Sequence, residues 1–237
     1  MISREPSARV HGSSTDNAYN ALREMIVQGR LAPGSWIVES DLTDTLKMSR
    51  TPIRAALQWL QHEGYVVARG TGAKSRIMVV PLTLSDAREL YGIVGRIEGM
   101  AGHYTSLLSV AKRDELVSAL KKLNSELTKV AKSPTPDQDD FVRIDTAFHD
   151  KIVEGCGGPR LLAIYRAVKP QTDRYWKVYA TTNSEDMRAS CAEHDKIIHA
   201  IATANGNSVE SALQVNWENG AERLAKAIMK LGERGAW

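Results

Sequence analysis

The sequence predicts a mostly α-helical protein, with an N-terminal winged helix-turn-helix joined to an all-α antiparallel bundle of six to seven helices. Two observations predict this fold class. Residues up to 80 contain three short amphipathic stretches followed by two β-prone runs around glycines. The residues after 81 show long apolar periodicities of helical spacing and almost no strand signal. We therefore expect a flexible tail over 1–14, a first domain over 15–80 and a second over 81–237.

The first domain begins with two amphipathic stretches. The spacing of Tyr19, Leu22 and Ile26 predicts a helix over 16–29 that starts at Asp16. A second, shorter helix is expected over 39–47, with Ser40 as its possible cap.

The third helix and a hairpin complete this domain. A helix over 51–63 has Pro52 in its first turn, where the missing N–H costs nothing. Runs over 65–69 and 76–80 flank a glycine-bearing tip and predict a β-hairpin, the wing.

The composition places few limits on function but excludes some classes. Hydrophobic residues at 43% and charged residues at 25% are ordinary globular values. The first residues lack the apolar core of a signal peptide, and no apolar run reaches the ~18 residues of a membrane span. Cys156 and Cys191 make no disulfide framework. We therefore expect a cytoplasmic protein that does not associate with a membrane.

The net charge of +3 is concentrated in the first third of the chain. Residues 1–80 hold ten Lys and Arg against seven Asp and Glu, whereas the remainder is balanced. Over 47–76, six basic residues face the single acid Glu63, a net charge of +5. A solvated basic face is one interpretation, and a binding surface for a polyanion is the other.

The third predicted helix favours double-stranded DNA as that polyanion. An α-helix fits the major groove of B-DNA, and the side chains of its first turn reach base edges. Backbone N–H groups at the same helix end favour phosphate. The candidate DNA-binding residues are Ser49, Arg50, Thr51 and Arg54 at this helix and Arg69, Gly72 and Lys74 on the hairpin.

This first domain resembles the N-terminal domain of GntR-family bacterial transcription regulators. The resemblance lies in Ser-Arg-Thr-Pro-Ile-Arg over 49–54 and in Glu63-Gly64, and it covers about residues 16–80. It departs from the family pattern at Ala55, where a Glu is usual, and at Ser40, where an Arg often contacts DNA. The resemblance implies a winged helix-turn-helix that binds DNA, with an operator that differs from the commonest one.

The bundle domain is predicted from six apolar periodicities. In the first, Leu90, Ile93, Val94, Ile97 and Ala101 are expected to face inward. The predicted helices cover 84–108, 112–131, 138–155, 160–181, 185–205 and 208–232.

One group of polar residues in the predicted bundle has metal-ligand chemistry. Asp145 and His149 are four residues apart on one helix, so their side chains share a face. His194, three residues before Ile197, falls on the buried face of a later helix. A carboxylate and two imidazoles that converge can hold a divalent metal. Ordinary hydrogen-bonded histidines are the alternative, and a metal-dependent, hydrolase-like domain fused to the DNA-binding module is a third interpretation.

The second domain is similar to the FCD effector domain of the FadR subfamily of GntR regulators. The resemblance spans about 84–230 and lies in Asp145 to His149, in Gly-Gly-Pro-Arg-Leu over 157–161 and in Glu193-His194. It implies a divalent metal, zinc, nickel or manganese, held by an Asp or Asn and three histidines. Asp145, His149 and His194 match that set, whereas Asn216 stands at the fourth position.

These resemblances together imply a ligand-responsive regulator, a repressor or an activator, and not an enzyme. We expect a homodimer on a palindromic operator, because two-fold symmetry in the protein requires it in the DNA. The expected effector is a small organic acid, and Arg96 and Tyr165 are candidate contacts for it.

Overall fold

The computed structural model describes residues 11–70, 75–179 and 184–235, and it confirms the predicted fold class. The chain divides into two compact units, Met1–Pro81 with Arg234–Trp237, and Leu82–Glu233. Arg234 and Gly235 thus belong with the first unit, although the sequence assigned them to the second domain.

The described residues of the first unit form three helices and a two-stranded antiparallel sheet. Its elements are α1 His11–Val27, α2 Glu39–Leu46, α3 Arg50–His62, β1 Val66–Arg69 and β2 Arg76–Val79. Helix α1 includes residues 11–14, which were expected in the tail, so Asp16 lies inside the helix instead of capping it. Ser40 is not a cap either, because Val38 occupies the N-cap position of α2 and the Ser40 hydroxyl donates to Asp41.

Backbone hydrogen bonds extend the hairpin by a third segment. The Ile37 N–H donates to the Ile77 carbonyl at 2.8 Å, and the Val79 N–H donates to the Ser35 carbonyl at 2.9 Å. The segment between α1 and α2 therefore pairs with β2, and it fixes the base of the wing against the core that α1, α2 and α3 share.

The second unit contains six α-helices within the described residues. They are α4 Leu84–His103, α5 Val110–Ala131, α6 Gln138–Cys156, α7 Pro159–Tyr179, α8 Ser184–Ala202 and α9 Gly206–Leu231, with a 3₁₀ turn at Tyr104–Leu107 after α4. Thr83, Ser109, Asp137 and Asn205 each accept a hydrogen bond from the backbone N–H three residues on, so four of the helix starts are encoded locally. None of the helices in the described ranges is both long enough and apolar enough to span a membrane.

Glycines on α4 allow this helix to approach α9 closely. A Cβ atom at Gly95 would lie 2.9 Å from the Cβ atom of Trp217. A Cβ atom at Gly102 would lie 2.8 Å from Val209 Cγ1. Both distances are shorter than van der Waals contact, so only glycine permits the observed packing.

The face of α4 that turns inward differs from the predicted one. Val94 and Ala101 are buried as expected, but Ile93 is 42% exposed. Gly95 and Glu98 are buried instead, because the close contact with α9 fixes the rotation of α4 about its axis. The expectation for Ile93 was wrong because apolar spacing alone does not weigh such a contact.

Two glycines of α4 provide a matched test of this packing. Gly95→Ala should lower the free energy of unfolding by about 1–3 kcal/mol, because the added methyl group overpacks the contact with Trp217. Gly92→Ala should be neutral or stabilise by up to about 1 kcal/mol, since a Cβ atom there meets no atom within 4 Å. Urea unfolding of the two variants measures the difference, and equal stabilities would contradict the close approach of α4 and α9.

Candidate functional site

Helix α3 presents the predicted DNA-reading residues to solvent. Ser49, Arg50, Thr51 and Arg54 are all exposed, at or beside the first turn of α3. The opposite side of the helix is fixed in the core, where Ile53 and Leu57 are buried. The helix is therefore anchored by its apolar side while its N-terminal polar side remains accessible.

The guanidinium of Arg54 is already oriented by an acid on α2. Its Nε donates to Glu39 Oε2 at 2.7 Å, with 63% of the Arg54 side chain exposed. Such an exposed pair contributes little to stability. Since the bond occupies Nε alone, the two terminal nitrogens remain for a phosphate or a base edge.

The exposed polar stripe of α3 extends beyond the residues that the sequence singled out. Gln58 and Gln61 follow Arg50 and Arg54 at intervals of four, four and three, and both are exposed. Glutamine side chains can pair with adenine in the major groove. The same spacing was present in the sequence. Only the burial of the opposite side of α3 shows that this face is exposed to solvent.

The wing residues are placed in part. Arg69 ends β1 directly opposite Arg76 of β2. The Arg76 guanidinium lies 4.9 Å from the ring centre of Trp36, a cation–π contact. Gly72 and Lys74 lie outside the described residues.

The three predicted metal ligands converge in the second unit. One ligand atom from each of Asp145, His149 and His194 lies within 4.8 Å of the others. Helix α6 positions the first two and α8 positions the third. Both histidines are buried, and the Asp145 side chain is 21% exposed. In the part of the chain described, these residues form the one group of His, Cys, Asp and Glu side chains with such spacing.

A buried carboxylate from α4 orients His149. Glu98 is fully buried, and its Oε2 lies 2.5 Å from Nδ1 of His149. The same carboxylate accepts hydrogen bonds from Trp217 Nε1 at 2.7 Å and from the Tyr165 hydroxyl at 3.1 Å. Burial disfavours the charged imidazole, but the adjacent Glu98 more than offsets this and holds the pKa of His149 above its usual value. With Nδ1 engaged, Nε2 is the nitrogen left for a metal, an arrangement typical of metal-ligating histidines.

His194 gives the most direct sign that a cation fits here. Both of its ring nitrogens are buried and have no hydrogen-bond partner in the structure. Phe148 stacks on the ring at 3.9 Å and fixes its plane. Burial, with a smaller contribution from His149, holds the pKa of His194 well below its usual value, so the imidazole is neutral and keeps a lone pair. Because buried polar atoms without partners are costly, these residues fit a divalent metal.

Asn216 adjoins the cluster and is held by a neighbouring acid. Its amide nitrogen donates to Glu193 Oε2 at 2.8 Å, which leaves the amide oxygen for other partners. Glu193 also accepts hydrogen bonds from Arg223, at 2.9 Å to Oε1 and 3.1 Å to Oε2. Both carboxylate oxygens of Glu193 thus accept hydrogen bonds from side chains of α9. Glu193 is therefore not available as the general base that a hydrolase would need.

The structure adds a buried cation that sequence reasoning missed. Lys169 on α7 is buried, with Nζ 3.3 Å from Asp173 Oδ1 and 5.8 Å from the ring centre of Trp217. Burial disfavours its charge, but Asp173, Glu98 and Asp145 raise the pKa of Lys169 above its usual value. Its spacing of four from Tyr165, on the buried side of α7, was a signal in the sequence.

Two adjoining cavities lie beside the cluster. The smaller, which we call the inner chamber, has a volume of about 30 Å³ and is lined by Asp145, His149 and Asn216 among others. The larger, which we call the aromatic cavity, has a volume of about 320 Å³ and is lined by Tyr175, Trp176 and Tyr179 among others. Their walls share four residues, Tyr91, Trp176, Gly220 and Arg223.

The two predicted effector contacts have other partners. Arg96 is exposed on α4, 3.7 Å from Glu218. The Tyr165 hydroxyl donates to Glu98 and to Asp150, at 3.1 and 2.9 Å. Neither residue lines the inner chamber or the aromatic cavity, so the geometry gives no reason to retain them as effector contacts. Arg96 had been suggested by its place near an Arg of the family pattern, and Tyr165 by the aromatic and basic residues along its helix. Neither signal shows where the cavities lie.

Two models of known protein families match the chain, one in each of its two units. The model of the FCD domain matches residues 89–219, more than half of the chain, and the model of "Bacterial regulatory proteins, gntR family" matches residues 14–73.

Individual relatives are similar over most of their length. An uncharacterised HTH-type transcriptional regulator, YdhC of Bacillus subtilis (strain 168), is 24% identical over 91% of this chain and 92% of its own. The gluconate operon transcriptional repressor of Bacillus licheniformis is 28% identical over 84% of this chain and 79% of its own. Among solved structures, Escherichia coli McbR/YncC has the same fold, with a TM-score of 0.67 at 19% identity over 95% of this chain and 99% of its own. The chain therefore belongs to the GntR family of bacterial transcription regulators, with an FCD effector-binding domain following its helix-turn-helix.

Proposed function

We propose that this chain is a FadR-type, metal-containing regulator that binds a palindromic operator as a homodimer and responds to a small organic acid. The observation that carries the proposal is His194, whose buried nitrogens have no hydrogen-bond partner and lie beside Asp145 and His149, next to a cavity of effector size. Asp145, His149 and His194 would hold the metal, with Asn216 as a further oxygen ligand. A bound divalent ion would supply a fixed positive charge that orients the carboxylate of the effector.

The DNA-binding part of the proposal rests on α3. Arg50, Thr51 and Arg54 would enter the major groove, with Ser49 at the helix start and Gln58 and Gln61 further along. Arg69, Gly72 and Lys74 of the wing would contact the backbone or the neighbouring groove. Direct contacts of arginine with guanine account for discrimination among bases, whereas contacts with phosphate hold the register.

The effector would act by binding two states of the protein with different affinity. Only such a difference can shift an equilibrium between DNA-binding and released forms. Two of the relatives are named as repressors of the gluconate operon, and gluconate is a small organic acid. These names support an organic acid as the effector class here. The hydrolase interpretation lacks comparable support, since Glu193 is committed to Arg223 and Asn216.

Loss of an arginine from α3 should weaken operator binding. Arg50→Ala and Arg54→Ala should each cost about 1–3 kcal/mol of operator affinity without changing the fold. Arg166→Ala removes the same charge from an exposed pair in the bundle and should leave the affinity unchanged. Electrophoretic shifts with the upstream DNA at fixed salt measure the affinity. Wild-type affinity in both α3 variants would rule out the proposed reading face.

Metal content should depend on His194. Protein purified without chelator should contain up to about one divalent ion per chain, and His194→Ala should lose it because a ligand is removed. His199→Ala is the matched control, since His199 lies on the same helix but is exposed. Elemental analysis by mass spectrometry, with circular dichroism to check folding, provides the comparison. Equal metal content in a folded His194→Ala variant would remove this residue from the site.

The proposed dimer makes a prediction about mass. Two large apolar side chains on α4, Ile93 and Met100, are 42% and 50% exposed in the single chain, which supports burial against a second copy. Light scattering should give about twice the chain mass of 26.1 kDa. A mass of one chain, constant over a hundredfold range of concentration, would contradict both the dimer and the palindromic operator.

A further inference from the structure

The inner chamber is too small for an organic acid. Its volume of about 30 Å³ accommodates a water molecule or an ion and little more. Any effector that reaches Asp145 and His149 must therefore place the rest of its atoms elsewhere. The aromatic cavity, about 320 Å³, shares four wall residues with the inner chamber and falls at the lower end of the volumes typical of small-molecule sites.

Two tyrosines that line the aromatic cavity have their hydroxyl groups engaged elsewhere. The Tyr175 hydroxyl donates to Asp86 Oδ2 at 2.5 Å and lies 3.1 Å from the Thr83 carbonyl. The Tyr179 hydroxyl donates to the Gly232 carbonyl at 2.9 Å. The two rings are nearly parallel, with an interplanar angle of 21° and centres 6.3 Å apart. Because these hydroxyls are engaged in holding α7, the tyrosines contribute aromatic carbon, and not free hydroxyl groups, to the lining of the cavity.

The charges around the aromatic cavity favour an anion. Lys226 and Lys230, four residues apart on α9, line it and have no hydrogen-bond or ion-pair partner in the described part of the chain. Arg223 lines both cavities and is largely neutralised by Glu193. Among the lining residues that the structure describes, the acid is Asp186. Two unpaired ammonium groups beside aromatic walls make a site for a planar body that carries negative charge.

We propose that the effector is an aromatic carboxylate, whose ring lies against Tyr175, Trp176 and Tyr179 and whose carboxylate is directed past Arg223 to the inner chamber. This inference rests on the proposed function and names the class of acid. A polyhydroxylated acid such as gluconate would gain less from these aromatic walls, because its hydroxyl groups lose hydrogen bonds to water on burial and both tyrosine hydroxyls are already engaged. Aromatic rings instead gain from stacking on the walls. The proposed effector class thus differs from gluconate, the acid in the printed names of two relatives.

Calorimetric titration of the full-length chain with a matched set of acids tests the proposal. The probes are benzoate and 2-naphthoate, the saturated cyclohexanecarboxylate, the uncharged benzyl alcohol and gluconate. At least one aromatic acid should bind about threefold or more tightly than cyclohexanecarboxylate. It should also bind about tenfold or more tightly than benzyl alcohol and gluconate, because these lack the charge or the apolar ring.

Two variants on α7 locate the binding. Trp176→Ala should weaken binding of the preferred aromatic acid about tenfold, and Trp176→Phe should restore most of it because a ring surface is retained. Ile164→Ala is the control, since Ile164 is 55% exposed on the same helix and does not line the aromatic cavity.

The outcomes separate this inference from the proposed function. Tight binding of gluconate without binding of the aromatic acids would overturn the aromatic class but leave an acid-responsive regulator. The aromatic class would also be overturned if no acid bound, or if Trp176→Ala bound the preferred aromatic acid as tightly as the wild-type chain does. Operator binding by the α3 variants is measured independently and does not depend on either result.

Discussion

The bundle depends on one buried carboxylate, Glu98 of α4. A charge with no access to water is costly unless its oxygens are satisfied, and Glu98 meets donors from three other helices. They are His149 of α6, Tyr165 of α7 and Trp217 of α9. Removal of any one donor would leave part of a buried charge unpaired. Because Glu98 needs all three donors, the four helices are held in one arrangement.

The same interaction prepares the candidate metal site. The contact with Glu98 fixes the ring of His149, so that its other nitrogen is available near Asp145 and His194. The same carboxylate accepts a hydrogen bond from Trp217 of α9, and this bond needs α4 and α9 to lie close together, which Gly95 permits because Trp217 packs on it. The packing of α4 against α9 and the geometry of the candidate metal ligands therefore depend on the same contacts of Glu98. The aromatic cavity lies directly beside the candidate metal site. An acid bound there would be placed to alter the arrangement that the Glu98 carboxylate holds.

The winged helix-turn-helix unit follows a simpler logic, and most of it was predictable. Apolar residues at helical spacing fix the inner side of α3, and the arginines at its start are left exposed as a result. The helices of the bundle were also predicted within a few residues, because caps such as Thr83 and Asp137 act on their own turn. The rotation of α4 was not predictable, as Ile93 shows, because it depends on a partner helix far along the chain.

The sequence by itself determined the elements, the positive charge at the start of α3 and the identity of three candidate ligands. Each of these follows from residues a few positions apart, whose side chains share a helix face whatever the rest of the chain does. Only the tertiary structure decided the role of Glu98, whose partners lie 51, 67 and 119 positions away. It also decided the pairing of Glu193 with Arg223 and the aromatic cavity itself. Burial of charge and the shape of empty space are properties of packed helices, and no local pattern encodes them.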